Sequence, residues 1–231
     1  MTKTAVIHQP DFLSYLGFFQ RFLSADLYIA LDCVQFVKNT SKAWQNRDKI
    51  KTPQGEKWLT VAIQKISSGT KINEVLLSTS DWRKDHLNLL QENYRQAPYF
   101  ADIYPYLQEL YSFQCIKMMD FNLESINLML KLFDIKINTI LASSLNPQGK
   151  NNTLLVDILS KTGCNYYLSG KGAEAYYDPK PFEAAGIKVI WQNFNHPVYP
   201  QLHGEFIPYL SAIDLLFNCG IEKSRQILRS S

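Results

Sequence analysis

Residues 4–31 read TAVIHQPDFLSYLGFFQRFLSADLYIAL and contain two short apolar runs on either side of an amphipathic segment. The first run, Thr4 to His8, predicts a buried strand that ends before Pro10, because proline has no N–H to give to a sheet. Leu27 to Leu31 is a second continuous apolar run and predicts a second strand. A strand, a helix and a strand within so short a distance predict a βαβ unit with parallel strands.

The segment between the two strands, residues 12–23, carries apolar side chains at helical spacing. Asp11 stands immediately before it, and aspartate is one of the residues that cap helix N-termini. We therefore expect one continuous helix over residues 12–23, with Asp11 as its cap.

The middle of the chain has a different pattern. Residues 48–52 and 57–63 flank Pro53-Gln54-Gly55, which is typical of a type I turn and predicts a β-hairpin. Residues 72–77 suggest a third antiparallel strand. Three helical patterns follow, at residues 81–96, 101–113 and 122–133. We predict that residues 44–135 form a β-hairpin and helical insertion.

Alternation of strands and helices returns after residue 136. Strands are predicted at 137–142, 165–168 and 187–191, and helices at 152–161 and 209–218. Units of this kind at both ends of the chain predict an α/β fold. We expect a single domain over residues 1–231, with an open, mostly parallel, Rossmann-like sheet and flanking helices.

The composition fits a globular protein. Of the 231 residues, 46% are hydrophobic and 19% are charged, which excludes a disordered or a coiled-coil chain. The sequence contains no run of about 20 apolar residues, so no membrane span is predicted. The first residues lack the pattern of a signal peptide. The four cysteines are far apart and none lies at metal-finger spacing, so we predict a cytoplasmic protein without a structural metal.

The net charge of +3 is unevenly distributed. Between Lys38 and Lys57 there are six basic and two acidic residues, so this segment carries +4 and the rest of the chain is almost neutral. A basic segment of this kind indicates an anionic small-molecule ligand. The alternative is a pair of exposed strands with lysines on their outer face. A nucleic acid is not the expected partner, because the net charge is low and the aromatic residues lie at core spacing.

Polar residues follow four of the predicted strands, and ligands of open α/β sheets bind beyond the carboxyl ends of strands. We therefore expect these residues to converge at one edge of the sheet. They are His8 with Gln9, Asp32 with Gln35, Ser143 with Ser144, and Ser169-Gly170-Lys171-Gly172.

Two of these groups suggest chemistry. His8 is the predicted catalytic acid or base, since imidazole titrates near neutral pH, and Asp32 is its predicted partner or a ligand of a ribose or of Mg²⁺. The segment Ser169–Gly172 resembles a phosphate-binding turn ahead of a helix, although the spacing of a P-loop is absent. The structural alternatives are a histidine bonded to backbone, an aspartate that begins a turn and an ordinary βα turn.

Two further segments are candidates for substrate binding. Trp44-Gln45-Asn46-Arg47 combines an aromatic ring with amide and guanidinium donors, which suits a sugar or a base stacked above polar contacts. His196 lies in a proline-rich segment after the last predicted strand and is a candidate for the opposite edge of the site. Each segment also has a structural alternative, as an anchored loop.

Several of these motifs together resemble the WbqC-like protein family. The resemblance rests on His8-Gln9-Pro10 through Gly17, Asp32-Cys33-Val34-Gln35-Phe36, Trp44-Gln45-Asn46-Arg47, Tyr167-Leu168-Ser169-Gly170, the segment 192–201 and Ile213-Asp214-Leu215-Leu216-Phe217-Asn218. It implies a role connected with bacterial surface-polysaccharide, or O-antigen, gene clusters. A second resemblance, of architecture alone, is to the nucleotidyltransferases. Their His-x-Gly-His signature is absent, because Tyr15 and Phe18 stand where its histidines belong.

These observations predict an enzyme of surface-polysaccharide biosynthesis. We expect a group transferase or ligase that acts on a nucleotide-activated sugar or on another anionic small molecule. The cofactor is not identified by the sequence, and a nucleotide with Mg²⁺ is the candidate. The alternative is a non-catalytic ligand-binding or scaffolding protein of the same pathway.

Overall fold

The structure of the protein is a computed structural model that describes residues 2–37 and 43–231. It contains a five-stranded sheet, a separate two-stranded sheet and flanking helices, which confirms the predicted α/β fold class. The elements are β1 Thr4–His8, α1 Leu16–Gln20, β2 Leu27–Ala30, β3 Arg47–Thr52, β4 Gly55–Thr60, α2 Trp82–Tyr94, α3 Phe100–Ser112, α4 Met118–Phe133, β5 Asn138–Leu141, α5 Asn151–Thr162, β6 Tyr166–Ser169, α6 Pro179–Ala184, β7 Lys188–Trp191 and α7 Ile213–Ser230.

The larger sheet has the strand order β5-β2-β1-β6-β7, and all four of its strand pairs are parallel. The chain first builds outward from β1 through β2 to β5. It then crosses over β1 and builds in the other direction through β6 to β7. A reversal of this kind opens a crevice between the two strands at the reversal, β1 and β6, beyond their carboxyl ends.

Alternate side chains of the strands belong to different hydrophobic clusters. Val6 of β1 is in the larger cluster, with α1, α4 and α7, whereas Ala5 and Ile7 are in the smaller cluster, with α5 and α6. This period of two is expected for a strand with both faces covered. Burial on both faces explains why β1 and β2 read as continuous apolar runs.

The prediction of one helix over residues 12–23 is wrong in its first part. Residues 12 and 13 form a turn, with Leu13 at a φ of 39°, and α1 begins only at Leu16. The reason lies in a distant segment. Ser211 Oγ donates to the carbonyl oxygen of Leu13, and the backbone N–H of Ala212 donates to the carbonyl of Ser14 at 3.1 Å. These carbonyls are therefore engaged outside any helix, and α1 is followed by a short 3-10 helix, Arg21–Ser24.

The hairpin and the three helices predicted in the middle of the chain are present as β3, β4 and α2–α4, all between β2 and β5. Their description as an insertion within one domain stays a prediction. The third strand predicted at residues 72–77 is wrong. Ile72–Glu74 is a 3-10 helix, and a Glu74 carboxylate oxygen accepts the backbone N–H of Lys71 at 2.9 Å, which closes that turn.

The C-terminal helix α7 bends at Gly220, where φ is 71°. A Cβ at this position would lie 2.7 Å from the ring of Tyr99, so the bend requires glycine on two grounds. Among the helices that the structure describes, none is both long and apolar enough to cross a membrane.

Candidate functional site

A cavity of about 750 Å³ opens beyond the carboxyl ends of β1 and β6, where the strand order reverses. Its volume is in the range of sites for small molecules and cofactors. The cavity is lined by residues of β1 and the segment after it, of α1's flanks, of the turn after β6, and of several other segments. They are Ile7, His8, Gln9, Asp11, Ser14, Tyr15, Arg21, Trp44, Asp48, Tyr167, residues 169–173, Tyr176, Gln192, Phe194 and Tyr209.

Seven of the twelve predicted site residues line this cavity. They are His8, Gln9, Trp44, Ser169, Gly170, Lys171 and Gly172. The structure therefore brings together the residues that follow β1 and those that follow β6, as expected for neighbouring parallel strands. The roles predicted for these residues are not decided by their position alone.

Asp32 lies elsewhere, so the structure does not support its predicted contact with His8. Its side chain is 1% exposed. One carboxylate oxygen accepts the backbone N–H of Ser143 at 2.9 Å, and the other accepts the Asn73 amide at 3.1 Å. Asp32 thus joins the segments after β2 and β5, one strand away from the crevice. Gln35 is exposed and forms an isolated β-bridge with Lys71.

The segment Trp44–Arg47 is divided between two places. Trp44 lines the main cavity, whereas Asn46 and Arg47 line a second cavity of about 260 Å³. Arg47 donates from Nε to the carbonyl of Ala43 at 3.2 Å, and its guanidinium lies 4.3 Å from the centre of the Trp58 ring. Arg47 is therefore not among the anion-binding groups of the main cavity. Lys38 and Lys42, from the basic segment, lie outside the described residues.

His196 lies behind the cavity wall. Its ring is 5.0 Å from that of Tyr209 and 5.7 Å from that of Phe194, and both of these aromatic residues line the cavity. Its Nδ1 atom is 3.0 Å from the carbonyl oxygen of Pro197. The sequence suggested that His196 enters the cavity from the opposite edge. Instead, it packs behind the aromatic wall of the cavity, which consists of Tyr15, Phe194 and Tyr209.

Arg21 lines the cavity, although no motif in the sequence marks it as a site residue. It is 4% exposed and forms no ion pair with a carboxylate among residues 2–37 and 43–231. Its Nε atom likewise has no hydrogen-bond partner there. Its Nη1 atom lies 3.5 Å from the position that a Cβ of residue 170 would take, so the guanidinium faces the turn at Gly170. A buried guanidinium of this kind is suited to phosphate or carboxylate.

Two buried carboxyl groups line the same cavity. Asp11 is 6% exposed, and its Oδ1 atom has no hydrogen-bond partner in the described part of the chain. Burial raises the pKa of Asp11 to about 7, although the Arg21 cation acts in the opposite direction. Asp48 is 2% exposed and accepts the backbone N–H of Lys49 at 2.6 Å. Burial raises the pKa of Asp48 well above its usual range, and the charge of Asp11 adds to this effect.

His8 contacts Asp11 in the lining of the cavity. Its Nδ1 atom is 2.9 Å from the carbonyl oxygen of Gln9 and 3.5 Å from Oδ2 of Asp11. Burial, and then the Arg21 cation, lower the pKa of His8 to about 3, so the imidazole is neutral at pH 7. With the Nδ1–H donated to the Gln9 carbonyl, the lone pair of the neutral ring is on Nε2.

The aromatic wall depends on a close approach at Gly17. Tyr15 lies between Phe194 and Tyr209, with ring centres 6.1 Å apart in both pairs. A Cβ on Gly17 would be 2.5 Å from the Tyr15 ring and 2.8 Å from the Phe194 ring. The Gln192 amide also donates to the carbonyl of Gly17 at 2.8 Å. Glycine at this position therefore lets two cavity walls meet.

The turn that the sequence predicts to bind phosphate differs from its prediction in one respect. The turn Ser169–Gly172 leads into a six-residue 3-10 helix, Lys171–Tyr176, which is too short to supply an extended helix dipole. Positive charge at this side of the cavity comes instead from Arg21 and Lys171. Within the described ranges there is no group of three or more His, Cys, Asp or Glu residues that could hold a metal ion.

Comparison with known proteins gives one family. The model of the WbqC-like protein family matches residues 9–226. The Uncharacterized protein Rv1507c of Mycobacterium tuberculosis (strain ATCC 25618 / H37Rv) is 34% identical over 230 residues, which cover 96% of each chain. No solved structure matches the chain. The matched region contains every residue that lines the cavity except Ile7 and His8, which immediately precede it.

Proposed function

The chain belongs to the WbqC-like protein family, and we propose that it is a cytoplasmic group transferase or ligase of bacterial surface-polysaccharide (O-antigen) biosynthesis. Its substrate is an anionic small molecule, bound in the cavity beyond β1 and β6. The observation that carries this proposal is the buried guanidinium of Arg21, which lines the cavity without a carboxylate partner in the described residues.

The anion site is supported by the cost of burying a charge. A buried and unpaired charged group costs several kcal/mol, so such groups are concentrated at sites where a ligand supplies the missing partner. Arg21 and Lys171 supply positive charge, and the turn at Gly170 brings backbone close to the guanidinium. A phosphate or a carboxylate fits this side of the cavity. The aromatic wall of the cavity fits a sugar or a base. An anion site combined with an aromatic wall makes a nucleotide-activated sugar the favoured donor.

The catalytic part of the proposal rests on His8. A neutral imidazole with its lone pair on Nε2 is a proton acceptor, and a positioned general base contributes about 10²- to 10⁴-fold to a rate. The Arg21 cation is one of the two causes that lower the pKa of His8. An anion bound at Arg21 offsets that cation, so it raises the pKa of His8 toward the value that suits proton transfer at neutral pH. The substrate would thereby activate the base.

A thermal-shift screen tests the binding step. The panel contains nucleotides, nucleotide sugars, acyl-coenzyme A and amino acids, each with and without Mg²⁺. A ligand at about 100 times its Kd stabilises a protein by about 2.7 kcal/mol, which is measurable for a chain of this size. We expect an anionic ligand to raise the Tm of the native protein but not that of Arg21→Gln. Equal shifts in both proteins, or no shift by any anion, would refute the anion site.

A turnover assay separates the enzyme from the scaffolding alternative. The ligand found in the screen is incubated with the protein and with candidate acceptors, and the mixture is analysed by mass spectrometry. A new product that forms with the native protein and not with His8→Gln supports group transfer. Stoichiometric binding with the ligand unchanged in every mixture would favour a binding or scaffolding protein instead.

A further inference from the structure

The main cavity contains buried groups of opposite charge that do not pair with each other. Arg21 Nε and Asp11 Oδ1 both lack a hydrogen-bond partner in the described part of the chain, and both residues are more than nine-tenths buried. The Arg21 cation nevertheless lies close enough to act on Asp11, because it lowers the pKa of that carboxyl group. A buried guanidinium and buried carboxyl groups that an ammonium group would ionise fit a ligand that carries both an anionic and a cationic group.

We infer that the substrate bound in this cavity is an anionic small molecule that also carries a protonated primary amine, with the amine held by Asp11 and Asp48 and the phosphate or carboxylate held by Arg21. Amino-sugar phosphates and amino acids are the chemical classes that fit. This inference rests on the proposed function for the anion site, and it adds the amine and the residues that recognise it.

Arg21 and Lys49 act on the two carboxyl groups from a distance, and neither cation lies within ion-pair distance of them. Neither Asp11 nor Asp48 forms an ion pair with a lysine or an arginine among residues 2–37 and 43–231. Both carboxyl groups line the same cavity, and the charge of Asp11 raises the pKa of Asp48. Asp11 is in contact with His8, but that imidazole is neutral at pH 7. A ligand with an ammonium group would supply the missing positive charge.

The surroundings favour an ammonium group over a metal ion. The described residues hold no cluster of three or more metal-ligating side chains, whereas a protein site for a divalent cation uses several oxygen ligands. Aromatic side chains, Tyr15, Trp44 and Tyr209, line the same cavity as the two carboxyl groups. Aromatic faces attract ammonium groups, and the hydroxyl of Ser14 is a further acceptor in the lining.

A ligand that is only anionic would provide no positive partner for the carboxyl groups of Asp11 and Asp48. Its negative charge would keep Asp11 and Asp48 protonated, so they would contribute no charge to binding. An ammonium group has the opposite effect, because it favours the ionised carboxylates and releases protons to solvent. His8 contacts Asp11, the Arg21 cation lowers the pKa of Asp11, and the charge of Asp11 raises the pKa values of Asp48, Tyr15 and Tyr28.

A matched pair of sugar phosphates tests the inference by isothermal titration calorimetry. Glucosamine 6-phosphate carries the amine, and glucose 6-phosphate differs from it by a hydroxyl in that place. We expect the native protein to bind glucosamine 6-phosphate at least about tenfold more tightly, a difference of about 1.4 kcal/mol. Titrations in buffers of different ionisation enthalpy should show proton release for the amine alone.

Two variants and a control assign the effect to residues. Asp11→Asn and Asp48→Asn should each remove most of the preference for the amine and leave the Kd for glucose 6-phosphate unchanged or lower. Asp102→Asn, on the exposed side of α3, should retain the preference. Equal Kd values for the two phosphates in the native protein, or no binding of either, would overturn the inference. The anion site itself would still stand if Arg21→Gln weakened glucose 6-phosphate, so the two failures are distinguishable.

Discussion

Nδ1 of His8 lies 3.5 Å from Oδ2 of Asp11, and burial moves the pKa values of the two groups in opposite directions, to about 3 and about 7. In water an aspartate is ionised at neutral pH and a histidine titrates near pH 6.5. Here the imidazole is neutral at pH 7 and the carboxyl group has a pKa of about 7. The charge of a bound ligand would therefore decide whether Asp11 is ionised at neutral pH. Such a perturbed pair suits a site for proton transfer.

Arg21→Gln should weaken binding of the anionic ligand by at least about tenfold, because hydrogen bonds to a charged group contribute about 1.5–3 kcal/mol. Glutamine keeps a polar side chain in the cavity and removes the charge. The measurement is the Kd by calorimetry at two salt concentrations. Arg95→Gln, at the exposed end of α2, is the matched control and should bind like the native protein. An unchanged Kd for Arg21→Gln would exclude Arg21 from the anion site.

His8→Gln should reduce turnover by about 10²- to 10⁴-fold, the usual contribution of a positioned general base. The Kd for the anionic ligand should change little, because the charge that holds the ligand is on Arg21 and Lys171. Steady-state kinetics and calorimetry on the same variant separate these effects. Full turnover by a folded His8→Gln would remove His8 from the mechanism.

Asp11→Asn should make the folded protein more stable at alkaline pH. The pKa of Asp11 is about 7 in the folded protein and about 3.8 without the fold, so folding binds protons between these values. Its stabilising contribution is complete below pH 3.8 and is lost as the pH rises through 7. Because one unit of pKa corresponds to about 1.4 kcal/mol, asparagine should raise the free energy of unfolding at pH 8 by about 1–4 kcal/mol.

Urea unfolding at pH 5 and pH 8 measures this effect. The pKa of His8 is about 3 in the folded protein and 6.5 without the fold, so its contribution to stability is lost as the pH falls, the opposite direction. His8 is present in both proteins, so the comparison isolates Asp11. If the native protein and Asp11→Asn had the same pH dependence, Asp11 would not be the buried carboxyl group that titrates.

Gly17→Ala should destabilise the protein by about 1–3 kcal/mol, the usual cost of overpacking. The added methyl group would have to displace the rings of Tyr15 and Phe194, which would also weaken ligand binding. Gly172→Ala serves as the control for stability, because a Cβ there meets no described atom within 4 Å. Thermal unfolding of the two variants gives the comparison. An unchanged Tm for Gly17→Ala would show that the rings of Tyr15 and Phe194 can move aside without cost.

Asp32→Ala should lower stability and leave the site intact. The substitution removes the acceptor for the Ser143 N–H and for the Asn73 amide, and an unsatisfied buried donor costs about 1–3 kcal/mol. The Kd for the anionic ligand should stay within about twofold of the native value, a difference of about 0.4 kcal/mol. A large loss of affinity at a temperature where the variant is folded would show that Asp32 contributes to ligand binding.

The sequence by itself determined the features that depend on neighbouring residues. The short continuous apolar runs at Thr4–His8 and Leu27–Ala30 predict strands, and both are strands in the structure. Pro53-Gln54-Gly55 predicts a tight turn, and it joins β3 to β4. The convergence of the residues after β1 and β6 follows from general rules for parallel sheets. These features need no knowledge of distant contacts.

Only the tertiary structure decided which charges are buried together. The local pattern predicts Asp11 as the cap of a helix over residues 12–23, and Arg21 lies within that predicted helix. The actual helix starts at Leu16, because Ser211 and Ala212 bind the carbonyls of residues 13 and 14. That contact spans almost the whole chain, and burial depends on what covers a residue. The charge arrangement of the cavity is therefore a property of the packed fold and cannot be read from local periodicity.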